Sequence, residues 1–168
     1  MQYVDLEAVR GACTGVIDPT PYVERLPELI DRLPPGARAF AADPDHYRFS
    51  GTRCTKDLQL QQLTVPSAEC PDYRIHFRHN CWKHDEDLIV RYTEVTEIRI
   101  DIPEAPELGL PGTVILDEIL PHEYGCSHEV AFRPGTLYIV CRDLTATWVA
   151  ADCPDNRNPD DGNPGDRE

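Results

Sequence analysis

The stretch YRIHFR, residues 73–78, decides the fold class of this 168-residue chain, because apolar and basic side chains alternate along all six positions. In a β-strand the apolar side chains would lie on one face and the basic ones on the other. The same period of two runs through residues 88–92 and 98–102. This period is typical of strands that bury one face and expose the other.

Strands are predicted outward from this stretch across most of the chain. They lie within residues 58–65, 73–78, 88–92, 98–102, 114–120, 130–132, 136–142 and 144–149. Turns rich in Pro, Gly and Asp separate them at intervals of about ten residues, which predicts a mostly antiparallel sheet or small sandwich of about eight strands. A slip in the alternation at Gln61-Gln62 predicts a β-bulge.

Helices are predicted only before this β-rich part. Thr20 is suited to cap a helix and Pro21 to begin it. Apolar residues then recur at helical spacing to Leu33, and the Pro-Pro-Gly sequence at 34–36 would end the helix. A shorter helix is predicted over residues 6–13. Packed on one face of the sheet, this helical segment gives an α+β fold.

The expected domain organisation is one α+β domain followed by a tail. The domain spans residues 1–150, with a helix and loop segment in 1–50 and the β-rich part in 56–149. Residues 151–168 contain six acids, two arginines, three prolines and no large apolar side chain. Such a segment cannot bury enough apolar surface to offset the entropy lost on ordering, so we predict a disordered acidic tail.

The net charge excludes some classes of partner. Thirty acidic and 16 basic residues give −14 at pH 7, which disfavours nucleic acid because phosphate contacts need a positive surface. No apolar run approaches the roughly 20 residues of a membrane span. The first residues lack the basic and apolar regions of a signal peptide, so we expect a cytoplasmic location. Acidity itself serves either solubility or recognition of a basic protein, and the oligomeric state stays open.

Two Cys/His clusters are candidates for a metal site, in the segments 79–84 and 122–128. Zinc takes four nitrogen or sulfur ligands, and the two segments could supply them if they meet. The candidate ligands are Cys81, His84, His122 and Cys126. Otherwise the segments are ordinary polar turns, and the preferred interpretation is that the chain holds no cofactor, with zinc as the alternative.

Nucleophilic and acid–base groups are less well defined. Cys126 or Ser127 could pair with His128, but sequence neighbours on a strand point to opposite faces. A Cys–His–Asp group assembled from distant residues stays open. The triplet at 85–87, Asp-Glu-Asp, could hold a divalent cation or act in acid–base chemistry, although a solvated hairpin turn is the simpler interpretation.

Basic residues on the central strands form a candidate arginine face. Its members are Arg74, His76, Arg78, Arg91 and Arg99. If the strand register brings them together, they would bind an anionic ligand or partner. Otherwise they would pair across strands with Glu94, Glu97 and Asp101 and stabilise a solvated face of the sheet.

Three strand patterns carry a resemblance to a known group of proteins. They are KDLQL at 56–60, DLIVRYTEVT at 87–96 and SHEVAF at 127–132, the last continuing to Asp143-Leu144. Over residues 54–149 the chain thereby resembles small β-rich cytosolic proteins of bacteria, some of which are grouped with the immunity proteins of polymorphic-toxin systems. The resemblance implies a domain that works by binding and has no known catalytic residues.

The sequence therefore favours a non-enzymatic, immunity-like domain that binds a basic protein. Two alternatives stay open. One is a zinc module or metal-dependent enzyme that uses the 79–84 and 122–128 segments, and the other is a domain that binds a small anionic ligand.

Overall fold

The computed structural model describes residues 1–10, 12–101 and 112–151. Within them the chain forms ten strands and two α-helices. Their bounds are β1 Asp5–Arg10, β2 Cys13–Asp18, α1 Thr20–Leu29, α2 Pro35–Ala41, β3 Gln59–Thr64, β4 Tyr73–Arg78, β5 Glu86–Thr93, β6 Glu97–Asp101, β7 Thr113–His122, β8 Gly125–Arg133, β9 Thr136–Cys141 and β10 Asp143–Ala150. Apart from Ala151, the predicted disordered tail lies outside the described residues.

Eight of these strands form one sheet in the order β10-β5-β4-β3-β7-β8-β9-β6, with antiparallel pairing throughout. The two helices pack against it, so the predicted α+β class is confirmed. The predicted irregularity is also present, because the β3–β4 register shifts between Leu60 and Gln62. Strands β1 and β2 form a second, small sheet.

The large sheet bends at a corner. The corner lies where β5 is followed by β6 and where β9 is followed by β10. Strand β5 pairs with β10, while the strands that continue them, β6 and β9, pair with each other. At the corner the Arg142 N–H donates to the Thr93 carbonyl at 3.0 Å, and the Thr96 N–H donates to the Val140 carbonyl at 2.9 Å. The bend brings the inner faces of both halves into one apolar core.

The burial of side chains in β4 follows the predicted alternation of residues 73–78. Ile75 and Phe77 are buried, whereas Arg74 and Arg78 are exposed. Across the interior the ring of Phe77 stacks on that of Phe132 from β8, with centroids 6.4 Å apart. The hydrophobic face of β4 therefore packs against the far half of the same sheet.

Helix α1 begins one residue earlier than predicted, because Thr20 is its first residue and Pro19, not Thr20, is its N-cap; the Asp18 carboxylate accepts from the Thr20 N–H at 3.0 Å. It ends at Leu29 and continues as a 3-10 turn over Ile30–Arg32. Tyr22 points inward and donates to the Ile119 carbonyl at 2.6 Å. None of the helices in the described part of the chain has the length and apolar character needed to cross a lipid bilayer.

Helix α2 was not predicted, because the Pro-Pro-Gly sequence was interpreted only as a helix end. Pro35 instead occupies the first position of α2, where its missing N–H costs nothing. The N–H groups of Gly36 and Ala37 donate to the Asp143 carboxylate at 3.0 and 2.9 Å. A Cβ at Gly36 would collide with the Leu144 carbonyl oxygen, so this close approach to β10 requires glycine.

The helix predicted over residues 6–13 is wrong, since these residues belong to the β1–β2 hairpin. Leu6 and Ala8 are turned inward, whereas Glu7 and Val9 are exposed. Their burial thus follows a period of two. The segment is short enough that helical and extended patterns both fitted its apolar residues.

Candidate functional site

Two aspartates of the described chain are each held by a pair of histidines. The first, Asp117 on β7, lies in the interior. Its carboxylate lies 2.9 Å from His46 Nε2 and 3.0 Å from His128 Nε2, and it accepts from the Thr55 hydroxyl at 2.7 Å. We call these four residues the Asp117 cluster.

Both imidazoles of the Asp117 cluster also have a partner on the second ring nitrogen. His46 Nδ1 lies 2.9 Å from the Phe40 carbonyl oxygen, and His128 Nδ1 lies 2.8 Å from the Tyr92 hydroxyl. Burial alone would raise the pKa of Asp117, but the two histidines lower it below its ordinary value. Burial would likewise lower the pKa of His46, and the adjacent carboxylate raises it instead. The interior therefore contains a satisfied ion pair.

The space beside the Asp117 cluster is too small for a substrate. A cavity of about 10 Å³ lies there, lined mainly by apolar side chains. That volume admits at most a single water molecule. The Asp117 cluster therefore lies in the packed core, with its polar groups partnered to one another.

The second aspartate, Asp87, begins β5 close to the surface. Its carboxylate lies 2.8 Å from His76 Nε2 and 2.7 Å from His79 Nδ1, and it accepts the His79 N–H at 2.8 Å. The Cys81 sulfur lies 3.4 Å from His79 Nε2. We call these four residues the Asp87 cluster.

The partners of His79 fix its tautomer. A carboxylate only accepts, so the Nδ1–H of His79 donates to Asp87, and in the neutral ring Nε2 can accept from the Cys81 thiol. Burial alone would raise the pKa of Asp87, but the hydrogen bonds from His79 and His76 lower it, so the carboxylate is ionised at neutral pH. The order thiol, imidazole, carboxylate is that of an activated nucleophile. Cys81, His79 and Asp87 thus lie in that order within one loop and the strand that follows it, whereas the Cys–His–Asp group that the sequence left open was one of distant residues.

The β4–β5 loop that carries Cys81 is held at several points. His84 Nε2 lies 2.9 Å from the Cys54 carbonyl oxygen, and His84 Nδ1 accepts the Asn80 N–H at 3.2 Å. Burial lowers the pKa of His84, in keeping with the neutral ring that these two contacts require. The Lys83 ammonium donates to the Lys56 carbonyl at 2.8 Å. These contacts give the loop a fixed shape.

Trp82 stands on this fixed loop with 74% of its surface exposed, the largest exposed fraction among the large apolar side chains of the described residues. Asp85 beside it is also exposed. The loop thus presents an aromatic side chain to solvent next to a half-buried thiol.

The four candidate zinc ligands are not brought together. Arg78, where β4 ends, is aligned through Gln59 with Thr113 at the start of β7. The loop with Cys81 and His84 follows Arg78, whereas His122 ends β7 and Cys126 begins β8 at the opposite end of the sheet. Among the residues in the described ranges, no group of three His, Cys, Asp or Glu side chains is placed to hold a metal ion.

The other candidate groups also have different partners from those considered. Cys126 lies 3.6 Å from Cys141, sulfur to sulfur, on β9. His128 contacts Asp117 instead of Cys126 or Ser127. In the acidic triplet only Asp85 fits a solvated turn, since Glu86 pairs with Arg53 at 2.6 Å and Asp87 belongs to its own cluster.

Four of the five arginine-face residues do share the outer surface of β4 and β5. Arg74 lies directly opposite Arg91, and His76 and Arg78 follow on the same side of β4. Arg99 is separate: it lies on β6, stacks over the Tyr138 ring at 4.3 Å and pairs with Glu97 at 2.8 Å. The acid paired with Arg91 is Asp72, at 3.7 Å, rather than those expected.

Comparison of the chain with protein-family models, with curated proteins and with solved structures gave no match. The resemblance of residues 54–149 to small bacterial proteins and immunity proteins therefore stays a prediction.

Sequence reasoning missed the Asp117 cluster, and no local signal could have revealed it. His46 and Thr55 are separated from Asp117 by 71 and 62 residues. The Asp87 cluster did leave a signal, because His79 and Cys81 lie in the Cys/His segment 79–84 and Asp87 lies in the acidic triplet at 85–87. What was missing was their alignment across the β4–β5 loop.

Proposed function

We propose that this chain is a non-enzymatic, immunity-like binding domain of the cytoplasm, which recognises a basic protein through the surface around Trp82. The observation that carries the proposal is the 74% exposure of Trp82 on a loop tied down by His84 and Lys83. Tryptophan is among the residues that contribute most to protein interfaces. A side chain on a preorganised loop also loses less freedom when a partner binds it.

Charge favours a basic partner over an acidic one. The chain carries a net charge of −14, and Asp85 is exposed on the same β4–β5 loop as Trp82. Ala150, at the end of β10, is aligned with Glu86 at the start of β5, so the chain leaves the sheet at the same end as the Trp82 loop. The sequence that follows, residues 152–168, contains six acids and two arginines. An aromatic anchor on a strongly acidic chain suits a partner with a positive surface.

The test is capture of proteins from cell extract on immobilised wild type, Trp82→Ala and Tyr124→Ala. Tyr124 is the matched control, since it is 40% exposed on the β7–β8 turn at the opposite end of the sheet. We expect a basic protein that is retained by wild type and Tyr124→Ala, released as salt rises towards about 0.5 M, and lost with Trp82→Ala. Retention by Trp82→Ala, or capture of acidic proteins alone, would contradict the proposal.

A second candidate is binding of a small anion on the outer face of β4 and β5. It is favoured by one observation, the placement of Arg74 directly opposite Arg91, because like charges in that position are destabilising and Asp72, 3.7 Å from Arg91, supplies one negative charge for the two arginines. Phosphate should then raise the melting temperature more than chloride at equal ionic strength. Arg91→Gln should abolish the difference, and Arg99→Gln, on the separate strand β6, should leave it unchanged. An equal response to both salts argues against this candidate.

A further inference from the structure

The Asp87 cluster has the parts of a reactive thiol. Cys81 is half-buried and free of a disulfide, and its sulfur lies 3.4 Å from His79 Nε2. His79 is 3% exposed, so its ring is held between the thiol and Asp87 and is largely shielded from water. Low water access strengthens the attraction between a thiolate and an imidazolium.

Proton transfer along this group is chemically consistent. The thiol proton would pass to His79 Nε2, and the resulting imidazolium would keep its Nδ1–H bond to the ionised Asp87 at 2.7 Å. His76 donates to the other carboxylate oxygen at 2.8 Å and so holds Asp87 in place. Thiolate, rather than thiol, is the nucleophilic form of cysteine.

The other charged groups near this loop are already engaged or point to solvent. Lys83 pairs with Asp57 at 3.2 Å, and Glu86 pairs with Arg53. Asp85 is exposed. His79 Nε2 itself lies within hydrogen-bonding distance of the Cys81 sulfur.

We propose that Cys81 is a reactive cysteine, activated by His79 and positioned through Asp87, and that it is a site of covalent modification by small disulfides. In the exchange, the Cys81 thiolate forms a bond to one sulfur of the disulfide while the disulfide S–S bond breaks. The departing thiolate takes the proton that His79 had accepted, so no other oxidant is required. The site goes beyond the proposed binding function and does not depend on it.

The first experiment is alkylation of the folded protein by iodoacetamide from pH 5 to 9, with the rate at each cysteine read by peptide mass spectrometry. Cys13 is the internal control, because it is exposed and lies on the separate β1–β2 sheet. An ordinary thiol is only a few per cent ionised at pH 7, so we expect Cys81 to react about tenfold faster than Cys13 at that pH. Equal rates, or a slower rate at Cys81, would overturn the proposal.

The second experiment separates activation from mere exposure. His79→Gln should lower the Cys81 rate at pH 7 about tenfold, by returning the thiol to its ordinary ionisation. Asp87→Asn should move the pH profile of Cys81 upward while leaving the plateau rate at high pH unchanged. A purely structural role would change the plateau and leave the midpoint of the profile in place, which would contradict the assignment of Asp87.

Incubation with oxidised glutathione then tests the class of reactant directly. We expect a mixed disulfide at Cys81 in the wild type and at least about tenfold slower formation in His79→Gln. Modification at Cys13 with none at Cys81 would overturn the proposal. Because no partner protein is present, neither result depends on whether Trp82 binds one.

Discussion

Asp117 and Asp87 are each contacted by two histidines, so the two groups show how position in the fold changes the role of the same side-chain types. Each carboxylate contacts two imidazoles at 2.7 to 3.0 Å, and each lies on a strand of the same sheet. In the Asp117 cluster both histidines have their second nitrogen occupied by a Phe40 carbonyl or a Tyr92 hydroxyl. In the Asp87 cluster the second nitrogen of His79 faces a thiol.

The difference separates a structural group from a chemical one. A fully partnered interior ion pair contributes to the stability of one fold, because removing any member leaves another buried charge or donor unpaired. A carboxylate–imidazole pair that ends at a half-exposed thiol has a nucleophile to activate. Contact between an aspartate and a histidine is therefore insufficient to indicate an active site. What distinguishes the two clusters is the partner of the second imidazole nitrogen.

The largest effect is expected for Asp117→Asn. The amide would place a donor where the carboxylate accepts from Thr55 and two histidines, leaving a buried charge unpaired. We expect the free energy of unfolding to fall by about 3–5 kcal/mol, measured by urea denaturation. Asp85→Asn, on an exposed acid, is the control and should change it by less than about 0.5 kcal/mol. A loss at Asp117 no larger than that would remove the structural role assigned to the cluster.

An intermediate effect is expected from pH. The pKa of His46 is raised above the ordinary value of about 6.5, so the folded state holds that proton more tightly. Its contribution is full below about pH 6.5 and is lost as pH rises through the folded-state pKa, with a slope of up to about 1.4 kcal/mol per pH unit. The pKa of His84 is lowered, so its contribution has the opposite sign and is lost as pH falls below about 6.5.

Urea denaturation between pH 5.5 and 8 resolves the two histidines. His84→Gln should remove the loss of stability on the acid side and keep the loss on the alkaline side. The upper limit matters because burial raises the pKa of Cys54, which adds a further loss above about pH 8.5. Stability that increases from pH 6.5 to 8 in His84→Gln would contradict the charged state of His46.

The smallest effect on stability is expected for Asp87→Asn, although it is the same substitution in a group of the same composition. Asp87 keeps 14% of its side chain exposed and its partner His76 28%, so water can replace part of the lost contacts, which it cannot do at the fully buried Asp117. We expect a loss of about 0.5–1 kcal/mol in the free energy of unfolding. If Asp87→Asn were as costly as Asp117→Asn, the contrast between the two clusters would fail.

The strands could be predicted from the sequence because alternation at residues 73–78 and its neighbours reflects burial directly. The helix at 20–29 was equally readable from Thr20 and Pro21. Short elements were not, as the β1–β2 hairpin and α2 show. In α2 the deciding partner of Gly36 is Asp143, more than a hundred residues away, and local sequence carries no record of such a contact.

For the Asp87 cluster the sequence shows the residue types, but it does not predict that these side chains contact one another. His79 and Cys81 stand two positions apart, and any turn with that spacing keeps them close. Asp87 joins them because β4 and β5 pair with His76 opposite Ile89, a register fixed by how the loop between them folds. The candidate zinc ligands are kept apart for a corresponding reason. The length of β7, ten residues, separates the 79–84 segment from the 122–128 segment.

The N-terminal segment has a consequence for the order in which this protein can be made. The N–H groups of Gln2, Tyr3 and Val4 all donate to the Glu118 carboxylate, at 2.7 Å each, across 114 to 116 residues. Residues 2–4 therefore have to wait during synthesis until Glu118 has been translated before their acceptor exists. Until then these three N–H groups lack the carboxylate that ties them to β7, so the link between residues 2–4 and the large sheet forms late in folding during synthesis.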